Sequence, residues 1–270
     1  MAEIAVLLVG DARRGEFREA RASLEALVHT TCAADLDQAA ALIDSGLRAP
    51  ELIVLAQSRP GEFSAAAVDR LRMAAPLARL VALLGSWCEG EMRTGHPLPG
   101  AIRVYWHQWL PRFQQDLERI RRGWCPIWGL PATAGEDERL LLAKGLPLTP
   151  RQGLVVIAAR QFAMADWLSA TCRLASYATV WLQPSRPVRI EGAVALLWDG
   201  DDGRHRRGAE LERLRAELGP LPILALLDFP RIGDRDGVLA AGATVILSKP
   251  LLVDDLLWSL QEFAIPDAAL

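Results

Sequence analysis

Short runs of consecutive apolar residues alternate along this chain with stretches in which apolar positions recur every three or four residues. The first run, residues 4–9, closes on Gly10-Asp11 and predicts a strand buried on both faces. Residues 15–27 carry apolar side chains at helical spacing with charge opposite. A weaker strand over 29–34, a helix over 36–43 closed by Ser45-Gly46 and a strand over 52–55 follow. Ser64 is placed to N-cap a helix running to Ala75, where Pro76 stops it. Strands over 80–84 and 102–106 and a helix over 110–120 complete the first half.

The second half repeats the pattern, with strands over 154–158, 178–182, 193–198 and 223–227 and helices over 162–175, 209–218 and 235–241. Then come a turn at Gly242, an apolar strand ending in Ser248-Lys249-Pro250, and a helix to Phe263. Pro250 lacks a donor and extends the residues before it, so Lys249 is delivered at the carboxyl end of the strand. Residues 183–192 hold Pro184 and Pro187 where a helix is due, so that helix is expected to be replaced by a loop. Strict alternation of strand and helix predicts parallel sheets covered on both faces. The expected organisation is one domain over 1–122, a Pro-rich linker over 123–152 and a second domain over 153–270, an internal duplication. The linker contains Pro126, Pro131, Pro147, Pro150 and the acidic Glu136-Asp137-Glu138, with a short apolar helix over 139–144. Trp124 and Trp128 are expected to pack it onto a domain. In the closing helix Leu252, Leu256, Leu257 and Leu260 recur at helical spacing and are read as core.

Composition narrows the field. With 270 residues, 51% of them hydrophobic, the chain has enough apolar surface for two cores. No long apolar run and no leader-like amino terminus stands in the sequence, so no membrane partner is expected and the cytoplasm is the expected location. A formal net charge of -3, with basic patches at Arg119-Arg121-Arg122 and Arg204-His205-Arg206-Arg207 that are short, argues against nucleic acid as a partner. Cys32, Cys88, Cys125 and Cys172 stand far apart and form no CxxC pair, which points to reduced, mostly buried thiols.

The stretch 242–257, with its Lys249-Pro250 corner, resembles the last strand and helix of the receiver domain of bacterial two-component response regulators. So does Pro50-Glu51-Leu52-Ile53-Val54-Leu55-Ala56 with Pro60-Gly61 after it, which is similar to the third strand and following loop of that family. The resemblance implies two flavodoxin-like, doubly wound parallel five-stranded sheets in tandem, of α/β class. It implies a cis Lys-Pro peptide as well. In the family, acids after the first strand and an aspartate after the third hold magnesium, the aspartate accepts phosphate, a Ser or Thr senses it and the lysine completes the site. The physical logic is that clustered carboxylates attract a hard cation, and metal with lysine neutralises the phosphoryl oxygens.

Carried over residue by residue, the acceptor falls on Ala56 in the first copy, with Asp11 and Ser86 as the residual pocket and Trp106-His107 where Lys-Pro would stand. This copy lacks the carboxylate that the chemistry needs. In the second copy the acceptor place falls on Trp198 or Asp199, Ala159-Arg160 replaces the acids, and Asp228, Lys249 and Pro250 line the possible phosphate and metal pocket. Two readings stand for that trio: a phosphate and magnesium site, or a structural ion pair left from an active ancestor.

Other constellations are thinner. Asp199, Asp201 and Asp202 between Gly200 and Gly203 lack the ligand ladder of a calcium loop. Cys88, His96 and His107 have no fourth zinc ligand, and Cys88 beside Glu89 has no orienting third group for nucleophilic catalysis. No P-loop and no GxGxxG follows a first strand. Nine tryptophans against two tyrosines are unusual, and Trp87, Trp106, His107 and Trp109 crowd the place of a fourth helix. They are read either as an interface or as core filling that gap. The expectation is a non-catalytic signalling adaptor of two degenerate receiver-like domains, without a resident cofactor, whose partner is a protein such as a histidine kinase or another receiver. The alternatives are a phosphorelay receiver using Asp199 with magnesium, and a small-ligand or metal-binding α/β protein.

Overall fold

The computed structural model describes residues 4–46, 48–130, 138, 151–200 and 207–264. The chain divides into two compact units, Met1–Gly145 and Leu146–Leu270. The short helix expected over 139–144, residues 201–206 with Asp201 and Asp202, and most of the Pro-rich stretch lie outside the described residues.

In the first unit β1 (Ala5–Val9), α1 (Arg18–Leu27), β2 (His29–Ala33), α2 (Leu36–Asp44), β3 (Leu52–Gln57), α3 (Ala65–Ala74), β4 (Arg79–Leu84), α4 (Glu91–Thr94), β5 (Ile102–Tyr105) and α5 (Trp109–Arg121) follow one another. The second unit is built of β6 (Leu154–Ala158), α6 (Phe162–Leu174), β7 (Ala178–Leu182), β8 (Ala193–Asp199), α7 (Arg207–Leu218), β9 (Ile223–Asp228), α8 (Ile232–Ala240), β10 (Val245–Lys249) and α9 (Val253–Phe263). The sheet orders are β2-β1-β3-β4-β5 and, read in the same direction, β7-β6-β8-β9-β10, with every pair parallel. This is the doubly wound order whose ligand crevice lies outside the carboxyl ends of the strands.

Local chemistry explains the elements. The central strands are unbroken apolar runs because helices cover both faces. Ser64 caps α3 by accepting the Ala67 amide at 3.3 Å, and Asp35 caps α2 by accepting the Gln38 amide at 2.8 Å. In the first unit Leu7, Val9, Ile53, Leu55 and Leu84 pack with Leu36, Val68, Leu71 and Cys88. In the second, β-strand residues Val155, Ile157, Leu197 and Leu226 pack with Leu168, Leu256, Leu257 and Leu260. The closing-helix leucines 256, 257 and 260 are therefore core. On the other face Val156, Leu196 and Trp198 meet Leu211, Leu214 and Val238.

Two expectations change. The fifth strand stops at Tyr105, and Trp106–Gln108 forms a 3-10 turn leading into α5. Trp106, His107 and Trp109 are buried in the core, so only Trp87 of that group remains on the surface. Trp109 donates to Ser23 Oγ at 3.0 Å and its ring stacks on Phe113, which stacks in turn on Trp128. Trp128 thus anchors the start of the linker, helped by the Ile127 amide on Asp116 at 2.7 Å, whereas Trp124 stays half-exposed beside Arg122. Arg119 is buried against Asp116, in line with the reading of the Arg119-Arg121-Arg122 run as short rather than one basic face. Residues 183–192 form no helix, as the prolines require, and Ile190 covers β-strand residues from that loop.

Candidate functional site

Strand register decides which residues of the two units correspond. Val9 pairs with Leu55 across β1 and β3, and Ala158 pairs with Trp198 across β6 and β8. Val9 and Ala158 each end the first strand of a unit, so Leu55 matches Trp198 and Ala56 matches Asp199. The same ladder carried through β4 and β9 matches Ser86 with Phe229, and carried through β5 and β10 matches Trp106 with Lys249 and His107 with Pro250. By register Asp199, not Trp198, is the counterpart of Ala56.

At the carboxyl edge of the second sheet Lys249 Nζ lies 2.6 Å from Asp199 Oδ1 and 3.2 Å from Asp228 Oδ1. The peptide between Lys249 and Pro250 is cis. Asp199 is 2% exposed, while Asp228 reaches solvent. Burial works against the Lys249 charge, but the hydrogen bond and charge of Asp199 together with those of Asp228 outweigh it and raise the ammonium above its ordinary value. Lys249 is therefore a firmly charged bridge between two carboxylates on neighbouring strands.

The flanking residues close the site further. Arg160, at the place matching Asp11, is paired with Glu210, and Glu210 also accepts the Trp198 indole N–H at 3.0 Å. Trp198 is buried and turned away into the α7 face of the sheet. A cationic side chain thus stands at the register place that Asp11 holds in the first unit. Among the described residues no group of three or more His, Cys, Asp or Glu comes together as a metal set.

In the first unit the equivalent space is solid. Ala56 is buried beside Gly10, whose φ is +105°. A Cβ on Gly10 would lie 3.0 Å from the Ala56 carbonyl oxygen and 3.1 Å from the Phe63 ring. Phe63 therefore packs against Gly10 on the side where Ala56 lies. Trp106, at the lysine place, donates its indole N–H to Ser86 Oγ at 3.1 Å. The Ser86 amide donates to Glu16 Oε1 at 3.1 Å, and the Ser86 hydroxyl donates to the same oxygen. Asp11 is exposed and engaged with Arg14 at 3.4 Å. Beside this block Gln57 and Arg103 both hold Glu91, at 2.9 and 2.5 Å, next to buried Cys88. Burial first, then the Glu91 charge, push the Cys88 thiol up to about 12, which removes it as a nucleophile. His107 is buried with its ring 5.7 Å from Tyr105, and His96 is exposed, so the zinc reading of Cys88, His96 and His107 finds no shared centre.

Glu16, Phe63 and Glu210 were invisible as site residues in the sequence. Phe63 left a trace, an aromatic in the otherwise polar loop after Pro60-Gly61. Glu16 and Glu210 left none, because a glutamate in the first turn of a helix is ordinary.

No family model matches the chain, and no curated protein matches it. Among solved structures it is similar to the Vibrio cholerae chemotaxis protein CheY4, with 18% identity over 42% of this chain and 98% of that one and a TM-score of 0.36. It is also similar to a CheY-like protein, TadZ, from Pseudomonas aeruginosa PAO1, with 16% identity over 42% of this chain and 99% of that one and a TM-score of 0.34. Full-length ShkA in complex with AMPPNP aligns over 96% of this chain and 50% of its own length, at 17% identity and a TM-score of 0.34.

Proposed function

Both units carry a receiver-like fold of the kind found in two-component response regulators, and from that premise we propose that the chain is a signalling adaptor that works by protein contact without phosphoryl transfer. The observation that carries this reading is the state of the two acceptor places. One is the buried Ala56, which has no carboxylate, and the other is Asp199 bonded to Lys249 at 2.6 Å with Arg160 where an acid is needed. A magnesium ion needs several oxygen ligands around it, and here the internal cations Lys249 and Arg160 take up the carboxylates. On this reading the protein has no resident cofactor, its partner is another protein, and it works in the cytoplasm.

A phosphorelay on Asp199 is the second reading, favoured by the contact of Asp199 with Lys249 at the matching register. Titrating the full chain with magnesium and then beryllofluoride, a phosphoryl mimic, separates the two. Trp198 adjoins Asp199 and reports by fluorescence. The adaptor reading expects a flat response in the chain and in Asp199→Asn alike. A saturable change that Asp199→Asn abolishes overturns it and makes the second unit a working acceptor.

A further inference from the structure

The carboxyl edge of the first sheet is formed by three abutting loops, residues 10–17, 58–63 and 85–93. The Glu16 carboxylate bonds Ser86, and a Cβ on Gly85 would lie 3.1 Å from the Ser58 backbone. The acids of these loops are turned inward. Glu16 is taken by Ser86, Glu62 by the Ser58 amide at 2.5 Å and its hydroxyl at 2.9 Å, and Glu91 by Gln57 and Arg103. Asp11 reaches solvent but is matched by Arg14.

Glu89 is only partly buried, with its Oε1 out of solvent, and beside it and Asp11 the outside is cationic and aromatic. Arg13, Arg59 and Arg93 are exposed, and among the described residues none of the three guanidinium groups has a carboxylate partner. Trp87 projects with 80% of its surface exposed and Met92 with 65%. The Trp87 backbone is held in place from below, since its neighbours Ser86 and Cys88 are buried and bonded to Glu16 and Gln57. An exposed indole on a turn anchored by buried neighbours, with exposed arginines on its own and the two adjoining loops, has the composition of an interface anchor.

We propose that this edge docks an acidic polypeptide segment, one whose carboxylates meet Arg13, Arg59 and Arg93 while an apolar side chain between them covers Trp87 and Met92. The inference rests on the adaptor reading and supplies its contact surface. Charge complementarity selects the partner's sign, and the exposed indole of Trp87 and thioether of Met92 on the same loop select an aliphatic or aromatic side chain over a further charge. A nucleic-acid strand is the less suited occupant, because three separated arginines with the Asp11 carboxylate among them make a weak phosphate track.

The test uses the full chain, immobilised and offered a phage-displayed library of random peptides, with oligouridylate binding measured alongside. Expected is enrichment of acidic sequences with interspersed Leu, Phe or Met. A synthetic peptide of the enriched sequence binds Trp87→Ala and Arg59→Glu about tenfold more weakly than the parent chain. Both side chains are exposed, so circular dichroism is expected to be unchanged in the variants. Enrichment of basic or charge-free sequences, equal binding to Trp87→Ala, no enrichment, or tighter capture of oligouridylate than of the peptide overturns the proposal. Asp199→Asn must leave peptide binding intact. A beryllofluoride response lost in that variant sinks the adaptor reading, whereas failure of peptide binding with a flat beryllofluoride response sinks only this surface.

Discussion

Lys249 shows how a single side chain changes meaning with its surroundings. In isolation it is a phosphate ligand in waiting; between Asp199 and Asp228 it is the counter-ion that lets a carboxylate be buried on β8. Removing it leaves Asp199 buried and charged, and breaking a buried pair from one side costs far more than removing both partners. Lys249→Met is expected to destabilise the chain by about 3 kcal/mol in urea unfolding, and Asp199→Asn in the same background to recover part of that loss. An additive double variant would show that the pair is not coupled. Ala56 makes the converse point. Placing an acid there by Ala56→Asp buries a charge at a site 1% exposed, with Trp106 at the register place that Lys249 holds in the second unit. The expected outcome is a loss of roughly 3 kcal/mol or more of stability and no gain of magnesium binding. A stable variant that binds magnesium would mean that the site around Ala56 accommodates a charged, metal-bound carboxylate.

At the scale of elements, the departures from a regular βα repeat are where the molecule does something of its own. The fourth helix of the first unit is reduced to Glu91–Thr94 behind a 3-10 turn, and this shortening turns Trp87 outward while Cys88 and Glu91 face inward. In the second unit a loop replaces the helix between β7 and β8, which Pro184 and Pro187 announced. Helix α6 ends in a left-handed residue, with the Ser176 amide on the Arg173 carbonyl at 3.0 Å and the Tyr177 amide on Cys172 at 3.2 Å. That pair of bonds is a Schellman motif, and Ser176 has φ +68° at the place where glycine is usual. Ser176→Gly is expected to stabilise the second unit by about 1 kcal/mol, read as a raised denaturation midpoint. A lowered midpoint would mean that the serine has a bonding role that outweighs its backbone strain. Helix and strand existence was legible from periodicity in both units. Their ends were less so, because Trp106 looks like one more strand residue until its indole finds Ser86 across the sheet edge.

For the whole molecule the buried titratable groups set a common pH response. Burial pushes the Cys88 and Cys172 thiols up to about 12, burial likewise raises the Tyr177 hydroxyl, and Lys249 is raised by its two carboxylates against the effect of burial. In each case the folded chain holds a proton that the unfolded chain releases first, so the unfolded state binds fewer protons and stability falls as pH rises. The decline begins near the ordinary thiol value of 9.0 and deepens as the tyrosine and lysine follow at their ordinary values of 10.0 and 10.5. Each buried thiol contributes up to roughly 1.4 kcal/mol per pH unit. Cys172, Tyr177 and Lys249 belong to the second unit and Cys88 to the first, so calorimetry between neutral pH and about pH 11 should show the second unit weakening more. Cys172→Ala should make that fall shallower. Stability that is flat above pH 9, or a first unit that melts earlier with alkali, would contradict the assignment.

The sequence by itself determined the repeat: alternating apolar runs and helical stripes, capped and stopped by Ser64, Pro76 and the Lys249-Pro250 corner, are local signals that need no partner to be read. That position 56 carries no carboxylate is likewise plain from the sequence, whatever the fold. Which residue matches Ala56 in the second unit was a question of strand register, and only the β6–β8 ladder placed Asp199 there and sent Trp198 to the opposite face. That Lys249 pairs with two carboxylates, that Phe63 packs against Gly10, and that three of the four crowded aromatic and histidine residues are core were likewise decided in three dimensions. Those outcomes depend on contacts between residues dozens of positions apart. Periodicity reports which face of an element is buried, whereas the partner that face meets is set by the packing of the sheet.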